Sequence, residues 1–538
     1  MFQTAELGQK VSREDFDRVA DGLRLDLLTV QQELRGADFP VIVVFAGVDG
    51  AGKGESVNLI NEWIDPRWIV TRAYDAPSEE ERERPHFWRF WRDVPPKGHI
   101  GLFLSCWYSR PILDHVHGTI DLASFDHQLD RIVAFEKMLA DDGALILKFW
   151  MHLGKDAQKR RLKALEKDPL QSWRVTKTDW RNWKLYDSFI AAAERTLRRT
   201  GTGQNRWVIV EGEDLRFRSL AVLTALRDAV RQQLADRQAR LKVIAEARAA
   251  VEQLRSKELA VVHETRRAME EAAQKDAESG HRPPRGAVVE MRGQGHFRPL
   301  TVLDRLDMSL ALDRDSYVRA LREGRAELAS LTRRARDKAV SSLLVFEGWD
   351  AAGKGGAIRR LTAGLDARNW QAIPIAAPTD EERARHYLWR FWRHLPRAGR
   401  LTAFDRSWYG RLLVERVEGF ALPEEWTRAY AEINDFEEQL IQHGIVLCKF
   451  WIHITKDEQY RRFKQRETIP YKVWKLTDED WRNRAKWDDY EIAVNEMVER
   501  TSTGEAPWVL VEGNDKNFAR IKIIRTLCDS LRQRLSCE

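Results

Sequence analysis

Short runs of apolar and β-branched residues recur along the chain, and longer stretches with helical periodicity separate them. This alternation predicts βαβ units built around a parallel sheet. The predicted strands of the first half are 41–46, 69–74, 100–104, 144–150 and 207–210. The predicted strands of the second half are 343–347, 372–376, 401–404, 445–451 and 508–511.

The second half of the chain repeats the first. FAGVDGAGKGE, which begins at Phe45, matches FEGWDAAGKGG, which begins at Phe346. The lysines of the two motifs, Lys53 and Lys354, lie 301 positions apart, and the same shift aligns WRFWR, WY, KFW, DWRN and VEG without a gap. Self-similarity over this length indicates a tandem duplication. Each copy is long enough for a complete α/β domain.

The residues between the copies have a different composition. The first part, to about residue 275, is rich in Ala, Arg, Glu and Leu and is predicted to be helical. ESGHRPPRGAVVEMRGQGHFRP follows and is predicted to be a linker rich in Gly, Pro and Arg. We therefore divide the chain into an N-terminal domain, 1–235, a helical arm and linker, 236–300, and a C-terminal domain, 301–538.

A Gly-x-x-x-x-Gly-Lys motif occurs in both copies, at 47–53 and 348–354. Each follows a predicted strand and precedes a helical pattern, as a Walker A loop does. The backbone amides and the helix N-terminus of such a loop bind phosphate oxygens, and the lysine neutralises them. The fold prediction is two tandem P-loop kinase domains, each a five-stranded parallel sheet with helices on both faces and a helical lid. The second loop supplies the candidate phosphate ligands Gly348, Gly353, Lys354, Gly355 and Gly356.

Both loops lack a hydroxyl residue that most Walker A loops have. Ser or Thr usually follows the lysine and binds Mg²⁺, whereas this chain has Gly54 and Gly355. Because Mg²⁺ binds to a few protein oxygens together with water and phosphate, we expect carboxylates to hold it. The candidates are Asp350, in the loop, and Asp405, at the end of the third strand. Asp350 has an alternative role as a turn carboxylate that caps backbone amides.

The two copies differ where this metal site is expected. Asp405 and Arg406 of the second copy correspond to Leu104 and Ser105 of the first. Phosphoryl transfer depends on the placement of metal and cations more than on covalent chemistry. We therefore predict that the C-terminal copy is catalytic and the N-terminal copy degenerate. The alternative is that both are active with different ligands.

A basic insert, 456–490, follows the fourth strand of the second copy. Its cations would clamp a polyphosphate, and a mobile lid would exclude water from the transfer site. The alternative is a solvated helix face anchored by tryptophans. The order of strand, basic insert and strand is similar to that of the lid of nucleoside-monophosphate kinases. The candidates are Arg461, Arg462, Lys464, Arg466, Lys472, Lys475 and Arg482.

The segment 378–399, between the second and third strands, is the candidate acceptor site. Its arginines are Arg383, Arg385, Arg390 and Arg393. Trp389 or Trp392 would stack on a base, although packing of the helix is the favoured interpretation. His152 and His453 end the fourth strands, where a structural role is expected.

Composition narrows the class of protein. The chain has 538 residues, a formal net charge of +6 and four cysteines without metal-ligand spacing. It has no apolar run of membrane-spanning length and no apolar segment near its start that would serve as a secretory signal. Acidic residues are mixed through the basic central stretch, so a nucleic-acid-binding role is disfavoured. We expect a cytoplasmic protein without membrane or nucleic-acid partners, and homo-oligomer formation is left open.

GWDAAGKGG, FDRSWYGRLLVERV, KFWIHITKDEQYRRF and WKLTDEDW together resemble the polyphosphate kinase 2 family. The tandem arrangement resembles the class II members of that family. The resemblance implies a thymidylate-kinase-like fold, inorganic polyphosphate as phosphoryl donor, AMP as the acceptor that becomes ADP, and Mg²⁺ as metal. The duplication then suggests that one chain imitates a dimer of single-domain relatives.

The resemblance also assigns residue roles. Lys354 would bind phosphate, and Asp350 and Asp405 would serve the metal and the acceptor phosphate. Arg406 and the lid arginines would steady the transferring group, and Glu415 matches a further acidic family position. Rival functions are an ATP-dependent nucleotide kinase and a non-enzymatic sensor of polyanions or nucleotides. The implied catalytic set is Asp350, Lys354, Asp405, Arg406, Glu415 and Arg462, with Arg411, Arg466, Lys475 and Arg482 as further phosphate ligands.

Overall fold

The computed structural model describes residues 1–203, 205–278, 300–469 and 477–536. The chain forms two compact units. Met1–Thr224 and Leu300–Glu538 make up the first, and Ala225–Pro299 the second. The predicted linker falls on 279–299, outside the described residues, and the predicted boundaries at 235 and 300 stay a prediction. Within the described ranges, no helix combines the length and apolarity needed to cross a membrane.

The first unit contains two five-stranded sheets in which every neighbouring pair of strands is parallel. The first sheet has β1 (Val41–Gly47), β2 (Ile69–Ala73), β3 (Ile100–Leu104), β4 (Leu145–His152) and β5 (Trp207–Glu211). The second has β6 (Ser342–Gly348), β7 (Trp370–Pro374), β8 (Leu401–Asp405), β9 (Val446–His453) and β10 (Trp508–Glu512). The strand order is β2-β3-β1-β4-β5 in one and β7-β8-β6-β9-β10 in the other. The predicted fold class is confirmed.

The apolar pattern predicted the bounds of the buried central strand more accurately than those of the exposed edge strand. The central strand β1 is buried along almost its whole length, since helices cover both faces of a parallel sheet. The edge strand β7 has three exposed and two partly exposed residues, and it begins two residues before the predicted position 372. An edge strand needs fewer apolar residues, so its bounds are harder to predict.

Helices flank both sheets. Those of the first copy are α1 (Arg13–Leu34), α2 (Lys53–Trp63), α3 (Glu79–Arg82), α4 (Trp88–Asp93), α5 (Ser109–Val116), α6 (Leu122–Asp141), α7 (Lys155–Lys167), α8 (Lys177–Lys184), α9 (Tyr186–Thr200) and α10 (Leu215–Glu278). Those that follow are α11 (Arg314–Asp337), α12 (Lys354–Thr362), α13 (Asp380–Arg383), α14 (Trp389–Trp392), α15 (Val414–Val417), α16 (Pro423–Gln442), α17 (Lys456–Thr468), α18 (Asp478–Ala485), α19 (Trp487–Thr501) and α20 (Lys516–Ser536). Short 3₁₀ turns lie at Phe2–Ala5, Pro66–Trp68, Ser172–Arg174, Leu303–Arg305 and Trp408–Arg411.

The repeated WY and KFW motifs meet in the core of each copy. Lys449 Nζ is fully buried and donates to Glu437 at 2.7 Å, to the Tyr409 hydroxyl at 3.0 Å and to the Thr501 carbonyl at 2.7 Å. Lys148 makes the equivalent three bonds in the first copy. A buried charge needs such partners. These motifs are therefore structural.

The two copies contact each other through equivalent surfaces. Arg84 Nε donates to the Leu395 carbonyl at 3.3 Å, and its counterpart Arg385 donates to the Val94 carbonyl at 3.3 Å. The Trp91 and Trp392 rings stack with centroids 5.8 Å apart. Ion pairs reinforce the contact at Glu83–Arg397, Arg131–Asp435 and Asp142–Arg428. Reciprocal contacts of this kind are those of a two-fold dimer, as expected if one chain imitates a dimer.

Candidate active site

The loop between β6 and α12 has a backbone that requires glycine at two positions. Gly348 has φ +148° and Gly353 has φ +115°. A Cβ at Gly348 would lie 2.4 Å from the Ile452 carbonyl oxygen, so no side chain fits there. The loop leads directly into α12, whose first residue is Lys354. This geometry points the amides at the start of α12 toward an anion.

Lys354 folds back over its own loop. Its Nζ donates to the Gly348 carbonyl at 2.7 Å and to the Trp349 carbonyl at 3.3 Å. Lys53 makes the matching bond to the Gly47 carbonyl at 2.7 Å. Both amines are thus held where a phosphate on the loop would meet them.

Asp350 lies between β8 and the basic insert. Its carboxylate accepts from Arg406 Nη2 at 3.1 Å and from Asn483 Nδ2 at 2.9 Å. Burial raises the pKa of Asp350, but the charges of Lys354 and Arg406 and the bond from Asn483 outweigh burial and hold the pKa below its ordinary value. Arg406 has φ +66°, a conformation that costs a non-glycine residue about 1 kcal/mol or more. That conformation turns its guanidinium toward Asp350.

Asp405 occupies the place of the missing hydroxyl. A Cβ at Gly355 would lie 3.2 Å from Asp405 Oδ2, so this carboxylate fills the space that a Ser or Thr side chain would take. At Gly54, the matching position of the first copy, no described residue comes within 4 Å of the same point. The chemistry of two carboxylates beside a phosphate loop fits Mg²⁺, which needs few protein oxygens. In the described part of the chain, no cluster of three or more His, Cys, Asp or Glu side chains is placed to hold a metal.

Glu347, which the sequence reasoning missed, is a second buried carboxylate at this site. It ends β6 just before the loop, is 5% exposed and accepts from Ser407 Oγ at 2.8 Å. Burial raises its pKa, and the charge of Lys354 opposes that change. The first copy has Ala46 at this position. A residue-by-residue comparison of the two loop motifs would have found this difference.

Arg411 and Glu415 form a pair beside the loop. Arg411 Nε lies 3.0 Å from Glu415 Oε2, and its guanidinium packs on the Tyr387 ring at 4.5 Å. Burial raises the pKa of Glu415, while Arg411 lowers it. The pair is largely shielded from solvent.

The predicted lid cations divide into four groups. Arg462 is buried and donates to the loop carbonyls of Ala351 and Ala352 at 2.9 and 2.8 Å, so it braces the loop from behind. Arg482 is half exposed and pairs with Glu418 at 3.2 Å. Lys472 and Lys475 lie outside the described residues. The remaining cations lie on α17: Arg461 pairs with Glu458, Lys464 pairs with Glu467, and Arg466 is partly exposed.

The acceptor arginines surround the 376–382 segment. Arg383 donates to the Pro378 carbonyl at 2.7 Å, and Arg390 donates to the Ala376 carbonyl at 3.0 Å. Arg393 packs on the Trp389 ring at 4.5 Å. Trp389 and Trp392 are 3% and 1% exposed, so the packing interpretation applies to both. Neither ring is available to stack on a base.

His453 accepts a hydrogen bond from Trp349 Nε1 at 3.1 Å through its Nδ1. Burial lowers its pKa to about 4, so the ring is neutral near pH 7. Trp349 in turn stacks on Trp487 with centroids 3.7 Å apart. His453 therefore supports the loop, as expected from its place at a strand end.

These side chains surround a cavity of about 70 Å³, lined by Glu347, Asp350, Lys354, Arg406, Asn483 and Tyr490 among others. A doubly wound parallel sheet with a glycine-rich loop at the helix start is typical of P-loop kinases. The polyphosphate kinase 2 family matches residues 10–238 and 311–537. The chain belongs to that family.

Two relatives match this chain over almost its whole length. A polyphosphate:AMP phosphotransferase from Pseudomonas aeruginosa is 47% identical over 532 residues, 99% of this chain and 98% of the relative. A protein of the same name from Pseudomonas syringae pv. tomato is 45% identical with the same coverage. A crystal structure described as polyphosphate kinase 2 from P. aeruginosa PA01 has a TM-score of 0.81 and 44% identity, and covers 100% of this chain and 99% of that chain. A shorter relative, NDP-polyphosphate phosphotransferase 1 from Ruegeria pomeroyi, is 40% identical over 41% of this chain and 72% of its own length.

Proposed function

We propose that this chain transfers a phosphoryl group from inorganic polyphosphate to AMP, giving ADP. An AMP phosphate oxygen attacks the terminal phosphorus of the donor, and the P–O bond to the next phosphate breaks. The donor leaves one phosphate shorter. Full-length relatives named for this reaction support the proposal, and they differ in name from the shorter relative that acts on nucleoside diphosphates.

The C-terminal copy is the proposed site of transfer. The observation that carries this assignment is the group of Glu347, Asp405 and Arg406 around the second loop, which the first copy replaces with Ala46, Leu104 and Ser105. The loop amides and Lys354 would hold the donor phosphates, while Arg406 offsets the charge that develops on the transferring group. Arg462 keeps the loop in place through its carbonyl bonds.

Mg²⁺ is part of the proposal, with Asp405 and Asp350 as its protein ligands. When bound, it would neutralise negative charge on the reacting phosphates. The positive charges of Lys354 and Arg406 favour the ionised form of the Asp350 carboxylate. Its bonds to Arg406 and Asn483 hold that carboxylate at the loop. The acceptor phosphate is assigned to Arg383, Arg390 and Arg393, and the expected cytoplasmic location goes with the proposal.

The test is ADP formation from AMP and long-chain polyphosphate with Mg²⁺ and without ATP. We expect ADP to form in proportion to the polyphosphate consumed. ADP formation with ATP alone would assign the chain to the ATP-dependent nucleotide kinases. Absence of turnover with either donor would favour a sensor. Omitting Mg²⁺ with a chelator, and restoring it, tests the metal separately.

A further inference from the structure

The N-terminal copy has a larger cavity than the C-terminal copy at the same place in the fold. The cavity beside Lys53 has a volume of about 620 Å³, against about 70 Å³ for its counterpart. Small residues line it where the second copy has large ones: Ala46 replaces Glu347, and Ser105 replaces Arg406. Loss of the catalytic side chains has therefore left open space, of a size that suits a small-molecule ligand.

The lining of this cavity suits a phosphorylated aromatic ligand. Trp150 is fully buried, and its Nε1 has no hydrogen-bond partner among the described residues. Arg89 is 9% exposed, and its Nε likewise lacks a hydrogen-bond partner within the described chain. Arg82 and Arg89 supply positive charge on the acceptor side of the cavity, away from Asp49, which pairs with Lys53, and Tyr74 and Phe90 supply aromatic surface. Two arginines beside aromatic walls in an open cavity point to an anionic ligand with an aromatic part.

The donor side of the same loop is blocked by an internal anion. Glu55, which replaces Gly356, lies at the start of α2, and its Oε1 is 2.8 Å from Arg161. Arg174 lies 3.6 Å from the same oxygen, and Arg218 pairs with Oε2. These arginines are neutralised by a carboxylate of the chain itself. A polyphosphate chain would have to displace Glu55 and overcome its negative charge.

Arg218 also fills space that is open in the second copy. A Cβ at Gly52 would lie 2.2 Å from Arg218 Cζ, whereas no described residue comes within 4 Å of the same point at Gly353. The position of Arg218 holds Ala519 in the second copy. The N-terminal loop is thus closed toward the donor and open toward the acceptor segment.

We propose that the N-terminal copy binds a nucleoside monophosphate without phosphorylating it. The choice of ligand rests on the proposed function, because the cavity includes Arg82 and Arg89, the counterparts of the acceptor arginines Arg383 and Arg390. The phosphate would lie against Arg82 and Arg89, with the base toward the aromatic side chains. Transfer is prevented because donor access and the catalytic carboxylate are both missing.

The test is calorimetric titration of the full-length chain with AMP in the absence of polyphosphate. The wild type is expected to bind two AMP molecules per chain. Ala46→Glu copies Glu347 into the cavity and adds a negative charge, so binding at one site should weaken by about tenfold or more. Ala46→Ser, which keeps the cavity nearly empty, should retain both sites.

Each outcome separates this proposal from the proposed function. One AMP per wild-type chain, together with ADP formation, would overturn the second site and leave the activity standing. Two bound AMP molecules per wild-type chain without ADP formation would support the second site and overturn the proposed activity. Two sites retained in Ala46→Glu, or no AMP binding, would overturn the assignment to this cavity. If Ala46→Glu does not fold, amide hydrogen exchange of the wild type with and without AMP takes its place. AMP should slow the exchange of amides in residues 45–53 and 74–90. Slower exchange confined to residues 346–354 and 375–391 would contradict the proposal.

Discussion

The two glycine-rich loops of this chain have the same backbone and different neighbours. Gly47 and Gly348 both have positive φ, and Lys53 and Lys354 both donate to the first carbonyl of their loop. The differences lie in the side chains that approach each loop. Glu347, Asp405 and Arg406 surround the second loop, whereas Glu55 and Arg218 surround the first. The two copies therefore share the loop backbone and differ in the charged side chains that meet it.

The Walker A motif alone does not distinguish the two copies. Both motifs match equally well, and both lack the usual hydroxyl residue. In the second copy, the carboxylate of Asp405, 50 residues further along the chain, comes close to the position that follows the loop lysine, and in the first copy no described residue does so. If these neighbours matter, the two copies should respond differently to matched substitutions.

Asp405→Asn should have the largest effect, because it removes the carboxylate that takes the place of the loop hydroxyl. We expect ADP formation to fall by roughly 10²–10³-fold, the usual loss for one transition-state partner. Leu104→Asn is the matched change in the first copy and should leave the rate unchanged. The rates are measured with polyphosphate and AMP. Equal losses in both variants would contradict the assignment of catalysis to the C-terminal copy.

His453→Gln tests a difference in pH dependence between the copies. His453 has a pKa of about 4 in the folded chain and about 6.5 when unfolded, so the unfolded state binds more protons between these values. Stability should therefore rise with pH from about 4 to 6.5, by about 3 kcal/mol from this residue, and stay level above. His453→Gln should flatten that rise.

His152→Gln is the control for this experiment. Burial lowers the pKa of His152, but Glu6 Oε1 lies 2.7 Å from its Nε2 and favours the protonated ring. The contribution of His152 to the rise of stability with pH should therefore be smaller than that of His453. Denaturant unfolding of each variant at pH 4.5 and pH 7 measures the slopes. A slope unaffected by His453→Gln would contradict the buried, neutral state of that ring.

Glu347→Ala converts the end of β6 to the residue found in the first copy. Because Glu347 holds Ser407 and faces Lys354, we expect about a 10–100-fold loss of kcat, as for other groups that orient a site. Glu347→Gln keeps an acceptor for Ser407 and should recover part of the rate. A change confined to thermal stability, with kcat intact, would limit Glu347 to a packing role.

The smallest expected difference is in the free energy of unfolding of two matched variants, Trp88→Phe and Trp389→Phe. Trp88 Nε1 donates to the Trp392 carbonyl at 2.9 Å, whereas Trp389 Nε1 has no hydrogen-bond partner in the described part of the chain. Trp88→Phe should therefore cost about 1 kcal/mol more in unfolding free energy than Trp389→Phe. Equal costs would show that the contact between the copies is symmetric in energy despite this difference in bonding.

Sequence reasoning located the elements better than it located the roles of long side chains. Arg462 was predicted from the basic composition of its segment, but in the fold its guanidinium donates to buried loop carbonyls. Glu347 was missed because it stands alone in an apolar strand. Trp392 was correctly expected to pack, although part of the surface that it packs on, Trp91, belongs to the other copy.

The sequence by itself determined the duplication, the two parallel sheets, the glycine-rich loops and the loss of Asp405 and Arg406 from the first copy. These features follow from local pattern and from alignment of the chain with itself. The tertiary structure decided which charges meet each loop. Arg218 reaches Glu55 across 163 positions of sequence, and it closes a loop whose motif is intact. An arginine can extend in several directions from one backbone position, and packing of the surrounding elements selects the direction.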